Sequence, residues 1–118
     1  MPNYSETILS QQTHPGDSSV SVVTGDAYKG DGYYGRSDGI HTVQYNIDGF
    51  IGTVYVQATL ATNPTNDDWF TVYTGSYPVV NDEGTTKVNI VNFTGNYVWI
   101  RSKVEHTDGT VNSIKLNH

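Results

Sequence analysis

The alternation of apolar and polar side chains in two neighbouring segments limits the fold most strongly. The segments "IHTVQYNI" (40–47) and "IGTVYVQATLA" (51–61) both alternate. Successive side chains of a strand point to opposite faces, so this period of two predicts half-buried β-strands. Asp48-Gly49 lies between them and predicts a hairpin turn, because glycine tolerates the positive φ that such turns need. No apolar stripe at helical spacing extends over a useful length.

Further short segments along the chain have strand composition and are separated by turn residues. Asp108-Gly109 predicts another turn, and the broken alternation at Ile90-Val91 predicts a bulge or burial on both faces. The segments are 19–24, 69–74, 86–93, 97–105 and 110–116. The pattern predicts an all-β fold, an antiparallel β-sandwich or jelly roll of about seven or eight strands. The connections leave no room for the crossovers of a parallel sheet.

The core is expected to contain the inward-facing residues of these strands. If Leu60 is a core residue, Leu60→Ala should cost about 2–5 kcal/mol. The expected core residues are Val43, Tyr45, Ile47, Val54, Val56, Leu60, Phe70, Val72, Val98, Ile100 and Ile114.

The chain has 118 residues, a length typical of one domain. Residues 1–17 are polar and predict an N-terminal arm that becomes ordered only against a partner, followed by a single β-sandwich domain over 18–118. A short first strand around residues 4–9 is the alternative, and the sequence does not separate the two.

The composition excludes several functional classes. The chain has no cysteine, so disulfides and thiol nucleophiles are absent. Its formal net charge is −6, opposite in sign to the charge that binding to nucleic acid or to an anionic membrane needs. The first residues have no apolar core of a signal peptide. We therefore expect no nucleic-acid or membrane partner and no secretory leader.

The segment "GDAYKGDGYYGRSDG" (25–39) is rich in glycine, aspartate and tyrosine. Asp26, Asp31 and Asp38 could supply oxygen ligands to calcium, but their spacing and the absence of a closing Glu do not fit an EF-hand. Tight turns allowed by the glycines and stabilised by the aspartates account better for the composition. We predict no metal and no cofactor.

Exposed aromatic residues suggest one possible ligand site. Tyr33, Tyr34 and Trp69 could stack on sugar rings, which is the alternative binding hypothesis. A catalytic site is not indicated: Ser37, Asp38 and His41 are close in sequence but lack a recognisable triad pattern. We therefore predict that the chain is not an enzyme.

The segment "NYVWIRSKVE" (96–105) allows two orientations in a strand. Pointing Tyr97 and Trp99 inward would bury Arg101 and Lys103 as well, and buried cations need partners. The opposite orientation buries Val98, Ile100 and Val104 and is the one we predict. It places Trp99, Tyr97 and Arg101 outside, near Tyr55, as a partner-binding surface of residue types that are common in interface hot spots. Trp99 covering the sheet under a loop is the alternative.

Two long blocks resemble known proteins. "GYYGRSDGIHTVQYNIDGFIGTVYVQATLATNPTNDDWF" (32–70) and "NFTGNYVWIRSKVEHTDGTVNSIKLNH" (92–118) are similar to segments of small virion structural proteins of tailed phages of marine cyanobacteria. The second block also resembles the closing strands of discoidin-like jelly rolls.

The resemblance implies a non-enzymatic virion protein, assembled in the host cytoplasm and present in several copies or as a homo-oligomer. Its partners would be other virion proteins. The first reading is a capsid decoration or cement protein, or another accessory protein of the particle, that acts through protein–protein contacts. A carbohydrate-binding host-attachment module of a tail or fibre, which would bind a glycan, is the other.

Overall fold

The computed structural model describes residues 6–14, 20–30, 32, 39–77 and 84–117. These residues form an eight-stranded antiparallel sheet and one 3-10 turn, Asn66–Asp68. The strands are β1 (Glu6–Leu9), β2 (Gln12–Thr13), β3 (Ser21–Thr24), β4 (Tyr28–Lys29), β5 (Ile40–Thr59), β6 (Phe70–Tyr77), β7 (Thr85–Thr94) and β8 (Trp99–Asn117). The predicted antiparallel all-β fold is confirmed.

Strands β5 and β8 are long and pair with each other along nearly their whole length, from Thr42↔Asn117 to Thr59↔Trp99. The predicted turns at Asp48-Gly49 and Asp108-Gly109 are therefore wrong, because both strands continue through these points. Gly49 and Gly109 have positive φ values of 58° and 87°, and the pairing register shifts between Asp48 and Ile51. The glycines make a bend within two long strands instead of two hairpins.

The bend divides the sheet into two half-sheets. The first half-sheet contains β7, the start of β5, the end of β8, β1 and β2. The second contains β6, the end of β5, the start of β8, β3 and β4. Their inner faces contact each other: the Tyr45 hydroxyl of the first half-sheet hydrogen-bonds to the Tyr73 hydroxyl of the second at 3.1 Å. The sheet is thus folded into a sandwich.

The core lies between the half-sheets. Seven of the expected core residues are buried, namely Val43, Tyr45, Ile47, Val54, Val56, Ile100 and Ile114. Val72 and Val98 are half-buried. Leu60 and Phe70 are 65% and 43% exposed, so their assignment to the core is wrong. Leu60 follows the end of β5 at Thr59, where alternation no longer applies, and its proposed truncation cost does not hold.

Strand β7 alternates regularly, contrary to the predicted irregularity at Ile90-Val91. Ile90 is 58% exposed, Val91 is 9% exposed, and the two pair in order with Gln44 and Val43. Neither a bulge nor burial on both faces is present there. The apolar pair arises because Ile90 lies on the outer face of the strand, which sequence alone does not reveal.

The described part of the N-terminal segment belongs to the sheet. β1 pairs with β8, Ile8 and Leu9 are buried, and β2 pairs with Val111 and Thr110. Residues 6–14 therefore correspond to the alternative of an early strand, not to an arm. The boundary at residue 17 falls within 15–19, outside the described residues, and the division of the chain there stays a prediction.

A hydrogen-bonded tyrosine cluster connects the two half-sheets inside the core. The Tyr45 hydroxyl contacts the hydroxyls of Tyr73 and Tyr77, and the Asn89 amide donates to Tyr45 at 2.8 Å and to Tyr73 at 3.1 Å. Burial raises the pKa of all three tyrosines above the usual value. The hydroxyls therefore stay protonated and keep their hydrogen bonds at neutral pH.

Candidate functional site

Side chains of β8 point alternately into the core and to the outer face of the second half-sheet. Ile100 and Val104 are buried, as predicted, and Ser102 between them is buried too. Arg101 and Lys103 are half-buried on the opposite face. The strand therefore keeps its two cations outside the core, the outcome that the cost of burying unpaired charges favours.

Arg101 is the centre of this outer face. Its Nε donates to Oε1 of Gln57 on β5 at 2.8 Å, across the strand pair that joins these two residues. Its guanidinium carbon lies 4.4 Å from the centroid of the Trp69 ring, within the range of a cation–π contact. The loop 60–69 thus brings Trp69 over the sheet and joins it to Arg101.

Lys103 is the next outward residue of β8 after Arg101, and it pairs with Tyr55 of β5. Its Nζ is 5.7 Å from the centroid of the Tyr55 ring and 3.5 Å from Oε1 of Glu105. The positive charge of Lys103 therefore has an acidic partner. The ion pair is partly exposed, so its contribution to stability is small.

Trp99 is held by the loop that follows β5. Its indole nitrogen donates to the carbonyl oxygen of Thr62 at 3.0 Å. Thr59 of β5 pairs with Trp99. The alternation of β5 places the Thr59 side chain on the outer face, yet it is only 1% exposed. Trp99 therefore closes this end of the sheet under the loop, as the alternative had it. Its role in binding a partner stays a prediction.

Tyr97 lies elsewhere than expected. It precedes β8 and packs against the core, with ring centroids 6.1 Å from His41, 6.0 Å from Phe93 and 5.5 Å from Phe70. Its placement on the outer face beside Trp99 and Arg101 is therefore wrong. The alternation that predicted this placement does not extend past the start of the strand at Trp99.

The glycine-rich segment is described only in part. The backbone nitrogens of Gly30 and Gly32 donate to the carbonyls of Val98 and Tyr97, both at 2.9 Å. A Cβ on Gly30 would lie 2.4 Å from the Tyr97 carbonyl oxygen, so the close approach of the two backbones requires glycine there. Tyr33, Tyr34, Ser37 and Asp38 lie outside the described residues, and the sugar-stacking hypothesis for the two tyrosines stays a prediction.

We use the term aromatic face for six residues of the second half-sheet and of the loop that lies over it. It contains one residue from the predicted ligand set, Trp69, together with three from the predicted partner set. Sequence reasoning gave no signal for the contact between Trp69 and Arg101, since they are 32 positions apart. The residues of the aromatic face are Tyr55, Gln57, Trp69, Trp99, Arg101 and Lys103.

We also searched the described residues outside the aromatic face for polar or metal-binding clusters. His41 is buried and stacked on Phe93, with ring centroids 5.0 Å apart. Among the described residues no group of three or more His, Asp or Glu side chains could hold a metal ion. A cavity of about 390 Å³ lies at the bend of the first half-sheet, lined by Asn46, Ile47, Asp48, Thr86, Lys87, Val88 and Asn112.

The chain was compared with protein families, curated proteins and solved structures. No protein-family model matches the chain, and no curated protein matches it. The solved structures that match include the carbohydrate-binding module CBM6cm-2 from Cellvibrio mixtus lichenase 5A in complex with cellotriose. The match has 17% identity and a TM-score of 0.39, and covers 96% of this chain and 98% of that chain. No helix within the described ranges is long and apolar enough to cross a membrane.

Proposed function

We propose that the protein is a non-catalytic carbohydrate-binding module and that the aromatic face is its binding surface. The observation that supports this most directly is the contact of Trp69 with Arg101, and of Arg101 with Gln57. An indole ring offers a flat apolar surface for the non-polar face of a sugar ring. Amide and guanidinium groups beside it can hydrogen-bond to hydroxyl groups.

The composition of the outer face supports a glycan over a protein partner. Protein interfaces have a largely apolar core. Tyr55 and Gln57 on β5 pair with Thr74 and Thr71 of β6, which are polar and exposed. The exposed aliphatic residues of this half-sheet and its loop include Val22 of β3 and Leu60. The outer face thus has mostly polar side chains with single aromatic rings among them. Such a surface suits a sugar chain, which presents hydroxyl groups next to the apolar faces of its rings.

Binding to polysaccharides in native affinity gels tests the proposal. A retarded wild-type band, with retardation lost in Trp69→Ala and Tyr55→Ala, is the expected result, because each substitution removes a stacking surface. Val22→Ala, on the same half-sheet, is the matched control and should bind normally. Thermal melts check that every variant is folded. Wild-type protein that binds no glycan from a broad panel would contradict the proposal.

A second candidate is a virion accessory protein, such as a decoration or cement protein, docked on a phage particle in several copies. The phage resemblance supports it, as do three exposed apolar residues on the first half-sheet: Ile40, Val88 and Ile90 are 58%, 59% and 58% exposed. Val88 and Ile90 are successive outward residues of β7, and contiguous exposed apolar surface is typical of protein contact sites.

The two candidates predict different variants to be defective. Ile90→Lys should reduce incorporation into particles or self-association under the second candidate and leave glycan binding intact. Trp99→Ala and Arg101→Glu test whether the aromatic face itself docks on the particle. Particles that incorporate all three folded variants at the wild-type level would exclude docking through either surface.

A further inference from the structure

Arg101 carries a positive charge that no acidic residue neutralises within the described part of the chain. Its contacts there are the Gln57 amide oxygen and the Trp69 ring, both uncharged. The neighbouring cation, Lys103, is paired with Glu105. The Arg101 side chain is half-buried, and this burial lowers its pKa. An arginine nevertheless remains charged at neutral pH.

This arrangement is unusual for the composition of the chain. The chain contains twelve acidic residues and only six Lys and Arg residues, so most cations could have an acidic partner. A partly desolvated cation without a counter-charge costs free energy, and a neutral amide with a ring compensates only in part. A ligand that brings a negative charge would supply the missing partner.

We propose that the aromatic face selects glycans that carry carboxylate groups, with Arg101 as the residue that binds the carboxylate. This inference rests on the proposed function and names its ligand class. Gln57 occupies Nε of Arg101, and the two terminal nitrogens have no acceptor among the described residues. Their planar pair of donors matches the two oxygens of a carboxylate. The Trp69 ring, whose centroid lies 4.4 Å from the same guanidinium carbon, places an indole surface for the sugar ring beside these donors.

The overall negative charge of the protein is unfavourable for binding an anionic ligand. The formal net charge of −6 repels an anionic polymer, so selective binding requires a local site. Charge-assisted hydrogen bonds contribute about 1.5–3 kcal/mol, which corresponds to roughly tenfold or more in affinity. Part of this gain is screened by salt.

The test compares one polyuronate with the same polymer after reduction of its carboxyl groups to alcohols, and with dextran and dextran sulfate. Isothermal titration of the wild type should show at least about tenfold tighter binding to the polyuronate than to the reduced polymer. Arg101→Gln should abolish this preference, because it should lower the affinity for the polyuronate much more than the affinity for the reduced polymer. Lys115→Gln, an exposed lysine of β8 on the first half-sheet, is the matched control and should keep the preference.

Arg101→Lys separates planar recognition from charge alone. It retains a positive charge but loses the donor pair, so the preference should fall by several-fold. If Arg101→Gln does not fold, Arg101→Lys tests the role of Arg101, and the wild-type comparison decides whether the protein prefers the carboxylate.

Each outcome has a distinct meaning. Equal binding to both forms of the polymer overturns the carboxylate preference while the proposed function stands. Tighter binding to dextran sulfate than to the polyuronate overturns carboxylate selectivity in favour of sulfate. No binding to any of these polymers overturns the carboxylate preference, whereas the proposed function itself is overturned only if the wild type also binds no glycan of the broad panel.

Discussion

His106 shows how one buried side chain makes stability depend on pH. It is 2% exposed, stacks on Phe50 with ring centroids 5.7 Å apart, and meets the edge of His14 at 5.2 Å. Burial, and secondarily the nearby His14, lower the pKa of His106. The neutral imidazole is therefore the form that the fold prefers. Protonating it would place a charge between Phe50 and His14.

The sign of the pH effect follows from this lowered pKa. The unfolded chain binds the proton first, at its ordinary pKa of about 6.5. The stabilisation is thus complete above that pH and is lost progressively as the pH falls towards the lowered pKa of the folded state. Urea unfolding at several pH values between 8 and 4 should show this decline. His106→Phe should flatten it over that window, and an unchanged slope in the variant would assign the decline to other groups.

At the scale of elements, the bend in β5 and β8 depends on two glycines with different surroundings. A Cβ on Gly109 would lie 2.3 Å from the Gly49 carbonyl oxygen, whereas a Cβ on Gly49 meets nothing within 4 Å. Both residues have positive φ. Gly49 therefore needs only a residue that tolerates the left-handed region, while Gly109 also needs the absence of a side chain.

The same substitution at both positions separates these requirements. Gly49→Asn should cost less than about 1 kcal/mol, because asparagine visits the left-handed region with little strain. Gly109→Asn should cost at least about 2 kcal/mol more, since the backbone of β5 must move to admit the side chain. Chemical denaturation of the two variants measures the difference. Equal costs would mean that the close approach of the two strands is not maintained in solution.

At the scale of the whole molecule, the N-terminal segment contributes to the shared core. Ile8 and Leu9 are 2% and 6% exposed, and His14 packs on His106 of the opposite half-sheet. The segment therefore helps to cover both layers of the sandwich, and it should contribute to global stability even if its ends have another partner.

Deletion of residues 1–14 should consequently destabilise the whole domain. Burying one large aliphatic side chain contributes about 1.5–3 kcal/mol, so losing Ile8 and Leu9 alone should cost at least about 3 kcal/mol. Ile8→Ala should show part of the loss, and Thr7→Ala, at an exposed position, should show little. Thermal melts give the comparison. A deletion variant that melts like the full chain would support an arm instead of an integrated strand.

Local alternation along the sequence was sufficient to predict the all-β class and most of the core. Val43, Tyr45 and Ile47 share one face because the strand period is a property of the backbone itself. The same argument correctly kept Arg101 and Lys103 out of the core. It failed at Leu60 and Tyr97, which lie just beyond strand ends, where the period no longer holds.

The tertiary structure decided what the two Asp-Gly pairs do and which distant residues meet. A glycine with positive φ serves a hairpin or a bend equally well, and the choice depends on whether a neighbouring strand continues the pairing. β8 continues it past Gly49, so β5 bends and the sheet folds on itself. Trp69 reaches Arg101 for a similar reason: the loop after β5 folds back over the sheet, a long-range contact that local sequence does not encode.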